Sequence, residues 1–424
     1  MPKFVVIPVG WGHFSYLKLE EIAVITDGGT MSKCYREKDH FVLGAFSDLF
    51  PVKRKAWIFS HFHFDHYSLM AAFQKATTSP NRFSHAFLDK GDVVVVPYQS
   101  TPECRKAIAG VVRFLVYEFL SKLPWMTADE ATTIIAPWIS GGSSVRRIPV
   151  KTGDRIIIQS RNASFEYLFL SPNPSLLERL DPLLCRQVSQ KIIDALNKAK
   201  EKEPERFAEL EETLSEIQRR ALAALEIAHD SRSSESLTYP LSVDERAYPL
   251  SVDERDFEED MLEVDSVETK KVDSVETKKV EISMEKREVV EALKSAQMEL
   301  KKVLGTKLSK SLNSTSISYA LTGKDDRTII YLGDLQDETL LENAICTFLC
   351  RRGFSSRTVL VAPHHGNAWS RCLKCLDPFL TIFTRCDKHL RYNNLRSEYD
   401  QFAYHAYITH DSPLELYMEN GSYP

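Results

Sequence analysis

No apolar run in this chain approaches the roughly 18 to 20 residues that a membrane span requires. The best candidate, AIAGVVRFLVYEFL, is interrupted by Arg113 and Glu118. The N-terminus MPKFVVIPVGWG has no basic region, long apolar stretch or small-residue cleavage site. The expectation is therefore no secretory signal, no membrane span and a cytoplasmic location. Cysteine is scarce: 8 thiols in 424 residues are too few for a disulfide framework, so they are expected to be reduced or metal-bound. A strong charge of either sign is lacking too. The net charge is −5 and the sequence pI about 6.2, which gives no global basic character of the kind that announces nucleic-acid binding. The composition excludes collagen-like, coiled-coil and wholly disordered chains. What is present is 43% hydrophobic residues, enough for a sizeable core.

The charge is unevenly spread. Residues 231–290 carry a net charge of −8 and the remainder +3, so the body of the protein is mildly basic. Short apolar runs bounded by turn signals predict strands at FVVIPV, EIAVIT, KAWIFS, RIIIQS, FEYLFLS, SISYALT, RTIIYLGD and TVLVAP, with a helix at SLMAAFQKA. Between about 175 and 311 the character changes. Segments rich in Leu, Ala, Glu and Lys predict helices, with a break near Pro204. They flank two tandem duplications, YPLSVDER at 239–246 and 248–255 and VDSVETKK at 264–271 and 272–279. Two copies of each are too few for a solenoid, and the polar, acidic composition predicts a solvated, partly disordered tract. The expected organisation is an α/β domain in two halves, 1–174 and 312–424, split by a charged helical insertion at 175–311. If the flanking strands are neighbours in one sheet, the two helical segments form an antiparallel arm with the repeats far from the core.

The chemistry is concentrated in SHFHFDH at 60–66, on the loop leaving a predicted strand. Alternate residues of an extended segment point the same way, so His61 and His63 can share one metal ion. Asp65 and His66, after the chain turns, face a second. Asp334 ends the apolar strand RTIIYLG, and His364-His365-Gly366 ends TVLVAP, so each candidate ligand again emerges from a strand terminus.

These residues resemble the metallo-β-lactamase-fold superfamily, whose HxHxDH motif is matched by His61, His63, Asp65 and His66. Within it the chain is most similar to the soluble hydrolase-like domain of the ComEC DNA-uptake family. The likeness rests on PVGWG at 8–12, TDGG at 26–29, KTGD at 151–154, LSPNP, Asn313 with SISYAL, YLGD at 331–334 and APHHG at 362–366. It runs from residue 4 to about 410, outside the insertion. The resemblance implies a four-layered αββα metallo-β-lactamase sandwich with a two-metal hydrolytic centre between its sheets. Two departures stand out. His13 follows the first turn where the family usually has an acidic or amide residue. The isolated third-motif His has no counterpart, and Asn173, near the expected place, is a weak ligand.

The expected function is a metal-dependent hydrolase, a phosphodiesterase or nuclease using a metal-bridged hydroxide, with nucleic acid or another phosphodiester as partner. Asp334 would bridge two divalent ions, zinc first, with manganese or iron compatible with the same donors. His364 is the preferred remaining ligand. Asp65 and His365 are the catalytic candidates, Asp65 accepting a proton and His365 either replacing His364 or donating to the scissile oxygen. Two alternatives use the same residues: hydrolysis of a small ester, lactone or thioester, or a metal-stabilised interaction module with vestigial catalysis and a protein partner on the 175–311 arm. Cys346, Cys350, Cys372 and Cys375 read either as a structural zinc site or, more simply, as small buried residues. Arg371, Lys374, Arg385, Lys388, His389 and Arg391 make the C-terminal third basic, which suits a phosphate-bearing substrate or a solvated surface.

Overall fold

A computed structural model describes residues 2–30, 40–61, 63–69, 92–98, 145–160, 163–180, 238–242, 312–323, 327–352, 357–384, 397–402, 404–407 and 412–418, with single positions between 102 and 110 and between 194 and 226. The apolar runs form strands of two mixed sheets. The first contains β1 (Lys3–Val6), β2 (Phe14–Lys18), β3 (Ile22–Asp27), β4 (Arg54–Ile58), β5 (Val93–Pro97), β6 (Arg146–Val150) and β15 (Leu414–Tyr417), in the order β15-β1-β2-β3-β4-β5-β6. The second contains β7 (Arg155–Gln159), β8 (Ser164–Ser171), β9 (Thr238–Ser242), β10 (Ser318–Thr322), β11 (Arg327–Tyr331), β12 (Arg357–Val361), β13 (Leu380–Phe383) and β14 (His405–Tyr407), in the order β14-β13-β12-β11-β10-β8-β7-β9. Each sheet passes from antiparallel to parallel pairing: at β3 and β4 in the first, at β11 and β12 in the second.

Alternation along the strands creates the layers. Phe4, Leu17, Val24, Ile58 and Val95 of the first sheet meet Ile158, Phe169, Tyr319, Ile329 and Val359 of the second in one shared core. The opposite residues of the second sheet, Leu168, Leu170, Ala320, Ile330 and Leu360, pack on Leu341, Ala344, Ile345 and Phe348 of α4 (Glu338–Arg352). Helix α1 (His40–Leu49) lies on the outside of the first sheet. Its Phe46 ring is 6.2 Å from Phe14, and Tyr16 donates to Asp48 at 3.0 Å. The remaining α-helices with assigned bounds are short: α2 (Phe64–Tyr67) and α3 (Pro174–Leu180).

The strands flanking the insertion, β8 and β10, are hydrogen-bonded antiparallel neighbours. One expectation needs correction. The start of the first repeat does not lie far from the core: Thr238–Ser242 is an edge strand paired parallel with β7, and Leu241 is buried in the core between the sheets. Pro240 is compatible with this place because an edge strand needs hydrogen bonds on only one side. The described positions between 194 and 226, Pro204 among them, are helical. The helix expected at SLMAAFQKA, from residue 70 onward, and the tract 243–311 lie outside the described residues. No helix among the described residues is long and apolar enough to cross a membrane.

Candidate metal centre

The parallel strands of both sheets end at one rim of the sandwich, where side chains leaving carboxyl ends of strands can converge. Asp27 closes β3, Ser60 and His61 follow β4, Asp334 follows β11, and His364 and His365 follow β12. After His61 the chain turns through His63 into the single turn of α2, which carries Asp65 and His66. His61, His66, Asp334 and His365 are buried.

Asp334 Oδ2 is the focus. The Nε2 atoms of His61, His66, His364 and His365 stand 3.7, 3.5, 3.8 and 3.9 Å from it. His365 Nε2 is also 3.7 Å from Asp65 Oδ2. Two donor groups each draw within 4.8 Å: His61, His66 and Asp334, and Asp65, His66 and His365. His63 joins through Nδ1, 2.8 Å from His61 Nε2. His365 belongs to one of these two groups; His364, whose Nε2 lies equally near Asp334, belongs to neither, its side chain is 23% exposed and its ring contacts Gln336 Nε2 at 2.7 and 2.9 Å.

Two tests show that these residues fit metal ions. Buried polar atoms are normally hydrogen-bonded, yet Nε2 of both His66 and His365 has no hydrogen-bond partner. The separations near Asp334 also exceed hydrogen-bond length. They suit donors around a cation with bonds of about 2.1 Å, for which a tetrahedral edge is about 3.4 Å.

A second tier of residues orients the donors, as metal-binding imidazoles require. Asp27, buried and in the left-handed conformation (φ 56°), has its backbone carbonyl held by Trp57 Nε1 at 2.9 Å. Its carboxylate accepts from the Ser60 amide and hydroxyl, both at 2.8 Å, from Tyr331 Oη at 2.6 Å and from His66 Nδ1 at 2.8 Å. A carboxylate that only accepts obliges His66 to carry its proton on Nδ1 and present Nε2 to the centre. Ser60 and Ser316 hydroxyls hold His61 Nδ1, each at 3.0 Å. The Asp334 amide donates to Ser316 Oγ at 3.1 Å, and Thr384 Oγ1 holds His365 Nδ1 at 2.9 Å.

Charge follows this geometry. Burial opposes ionisation of Asp65 and Asp334, but the surrounding imidazoles outweigh it, with His365 and His66 foremost for Asp65 and His66 for Asp334. Both carboxyls are held below the usual range. Burial disfavours the charged form of His66, yet Asp334 and Asp27 raise its pKa well above the ordinary imidazole value. For His61 burial and the adjacent His66 and His63 act together and lower it. Burial also lowers His364.

Glycine loops pin the motif by backbone contacts. The His13 amide donates to Asp65 O at 3.3 Å, Gly28 N to His66 O at 2.7 Å, and Leu69 N to Gly28 O at 2.9 Å. His13 itself is buried, with its Nε2 2.8 Å from Ser15 Oγ and its ring 4.7 Å from that of Tyr331. Asn173 is engaged elsewhere: Oδ1 accepts from Leu176 N at 3.2 Å and Nδ2 donates to Asn343 at 3.0 Å. The orienting residues Asp27, Ser60, Ser316 and Thr384 are missing from the sequence-derived set because singly they read as turn or strand residues. The one available signal was Asp27, which ends an apolar strand before glycine just as Asp334 follows one. Arg385, Lys388, His389 and Arg391 lie outside the described residues; Arg371 and Lys374 are exposed on the 3-10 helix Arg371–Leu376.

The sequence matches no protein-family model and no curated protein.

Proposed function

We propose that this chain is a metal-dependent hydrolase of phosphodiesters, with nucleic acid the leading substrate class, built on the αββα sandwich of the metallo-β-lactamase type and similar to the ComEC hydrolase-like domain. The observation that carries this reading is the convergence of four imidazole Nε2 atoms within 3.9 Å of Asp334 Oδ2, two of them buried without a hydrogen-bond partner. The order of the ligand-bearing strand ends along the chain supports it as well.

In this reading His61, His63 and Asp334 would hold one divalent ion and Asp65, His66 and His365 a second, zinc fitting the imidazole and carboxylate donors first. Such a pair supplies a nucleophile at neutral pH and charge stabilisation for both oxygens of an in-line displacement, so no nucleophilic side chain is needed. Asp65, held ionised, is placed to accept the proton of the attacking water. His364, more exposed than His365 and steadied by Gln336, is placed to contact the substrate from the open side. Trp11, whose ring is 5.5 Å from His365, walls the same side.

The test is elemental analysis of purified protein together with hydrolysis of bis(p-nitrophenyl) phosphate. One to two transition-metal ions per chain are expected at the His and Asp centre, counted in protein whose thiols are alkylated, and Asp334→Ala should lower both this metal content and the rate, the rate by about 10³-fold or more. Protein that neither contains nor takes up zinc or manganese would refute the reading. Cleavage of DNA or RNA should fall with salt more steeply than cleavage of an uncharged ester; equal salt dependence would move the substrate to a small ester.

A further inference from the structure

Cys346, Cys350, Cys372 and Cys375 take no part in the centre above. Free cysteine is among the most buried residue types, so thiols with no special role are expected inside. Here Cys346, Cys350 and Cys375 are exposed and Cys372 is half-buried, all as free thiols. This overturns the simpler of the two readings of these residues, that of small buried helix residues.

The four lie on two elements that pack together outside the second sheet, α4 and the 3-10 helix Arg371–Leu376. Periodicity places the thiols in rows. Residues three apart eclipse in a 3-10 helix. Leu373 and Leu376 thus form the buried row, Cys372 and Cys375 the row beside it, and Arg371 and Lys374 the third. On α4 the residues facing the core include Leu341, Ala344, Ile345 and Phe348, while Glu342, Cys346 and Cys350, each four apart, run along the flank. The two rows meet at Ser370. Its hydroxyl accepts from Cys372 N at 3.3 Å and donates to Glu342 Oε1 at 3.5 Å. Cys372 is within electrostatic reach of Glu342, Cys346 and Cys375.

We propose that Cys346, Cys350, Cys372 and Cys375 form a second, structural metal site, a tetrathiolate site for zinc or a similarly soft divalent ion, made of residues the His and Asp centre does not use. Two cysteine pairs on elements already in contact are the arrangement such sites need. Among the described residues the sulfurs do not draw within 4.8 Å in threes as the His and Asp donors do. Closure therefore requires χ1 rotation, which is inexpensive for exposed side chains. Each ligating thiol gives its proton to solvent, and nothing is oxidised or reduced. Because metal displaces the thiol protons, affinity rises with pH. A zinc tetrathiolate carries a net charge of about −2, which exposed Arg371 and Lys374 offset. Closure would staple α4 to the segment directly after His364 and His365.

Cobalt(II) added to the full-length reduced protein tests this independently of hydrolysis. An intense ultraviolet thiolate-to-cobalt charge-transfer band is expected in the wild type and in Asp334→Ala, and its loss in the double variant C346S/C375S. Zinc should protect the wild-type thiols from alkylation, and the variant should bind one zinc fewer per chain while hydrolysing bis(p-nitrophenyl) phosphate at an unchanged rate. Absence of the band, equal alkylation with and without zinc, or formation of disulfides with no zinc affinity would each overturn the proposal. A band that survives in C346S/C375S would do the same.

Discussion

His364 and His365 are adjacent, and both adopt the left-handed conformation that non-glycine residues rarely take, with φ of 48° and 56°. Such backbone costs on the order of 1–3 kcal/mol per residue and persists where the surroundings enforce it. Here it turns one ring inward to Asp65 and His66 and leaves the other near the surface. His365→Ala is expected to lose about half of the metal held at the His and Asp centre along with activity. His364→Ala should keep its metal and lose only turnover, by about 10- to 100-fold. Equal metal loss in the two variants would show that both are ligands. His13 allows a pH prediction. Burial, little relieved by Asp27, pushes its pKa down to about 3, whereas an unfolded histidine titrates near about 6.5. Between those values the unfolded chain binds a proton that the folded chain does not. Stability should therefore fall as pH drops through this window, by about 1.4 kcal/mol per pH unit at its steepest, and the effect saturates below about pH 3. Urea denaturation across the window should give a shallower slope for His13→Asn than for wild type. The slope is the readout, because the substitution also changes packing.

At the scale of elements, the motif depends on how closely α2 approaches the glycine turns. A Cβ on Gly29 would stand 2.2 Å from the Asp65 carbonyl carbon and 2.3 Å from the His66 nitrogen, backbone atoms that cannot swing aside. Gly29→Ala is expected to destabilise the fold by about 1–3 kcal/mol and to displace Asp65 and His66 together. Thermal denaturation and metal content should fall in concert, and a variant with wild-type values of both would show that α2 is not pinned there. Strands were the most legible elements. β1, β3, β4, β7, β8 and β10 to β12 coincide with apolar runs between turn signals, since all but β7 are largely buried on both faces, which leaves a continuous hydrophobic stretch. β9 was not legible. Its Pro240 and its acidic surroundings read as loop, and only the free edge of β7 makes Tyr239-Pro240-Leu241-Ser242 a strand.

For the whole molecule, the position of β9 moves the boundary of what can be removed. Deleting 243–282 with a short flexible linker spares the strand and should leave folding and metal content nearly unchanged, because loop closure depends weakly on length. Deleting 236–282 also removes Leu241 from the inter-sheet core and is expected to cost about 2–5 kcal/mol, the range for truncating a buried leucine. Comparable stability of the two deletions by urea denaturation would show that β9 contributes nothing. The sequence by itself determined the α/β character, most strands and the candidate donors His61, His63, Asp65, His66 and Asp334 with the His364-His365 pair undivided, because apolar periodicity and ligand-bearing strand ends are local properties of the chain. Tertiary structure alone decided that Asp27, Ser60, Ser316 and Thr384 orient those donors, that His365 rather than His364 faces Asp65, and that Cys346, Cys350 and Cys375 are exposed. These depend on which strand ends meet at one rim and which helix faces are covered, and no local pattern encodes contacts between residues tens to hundreds of positions apart.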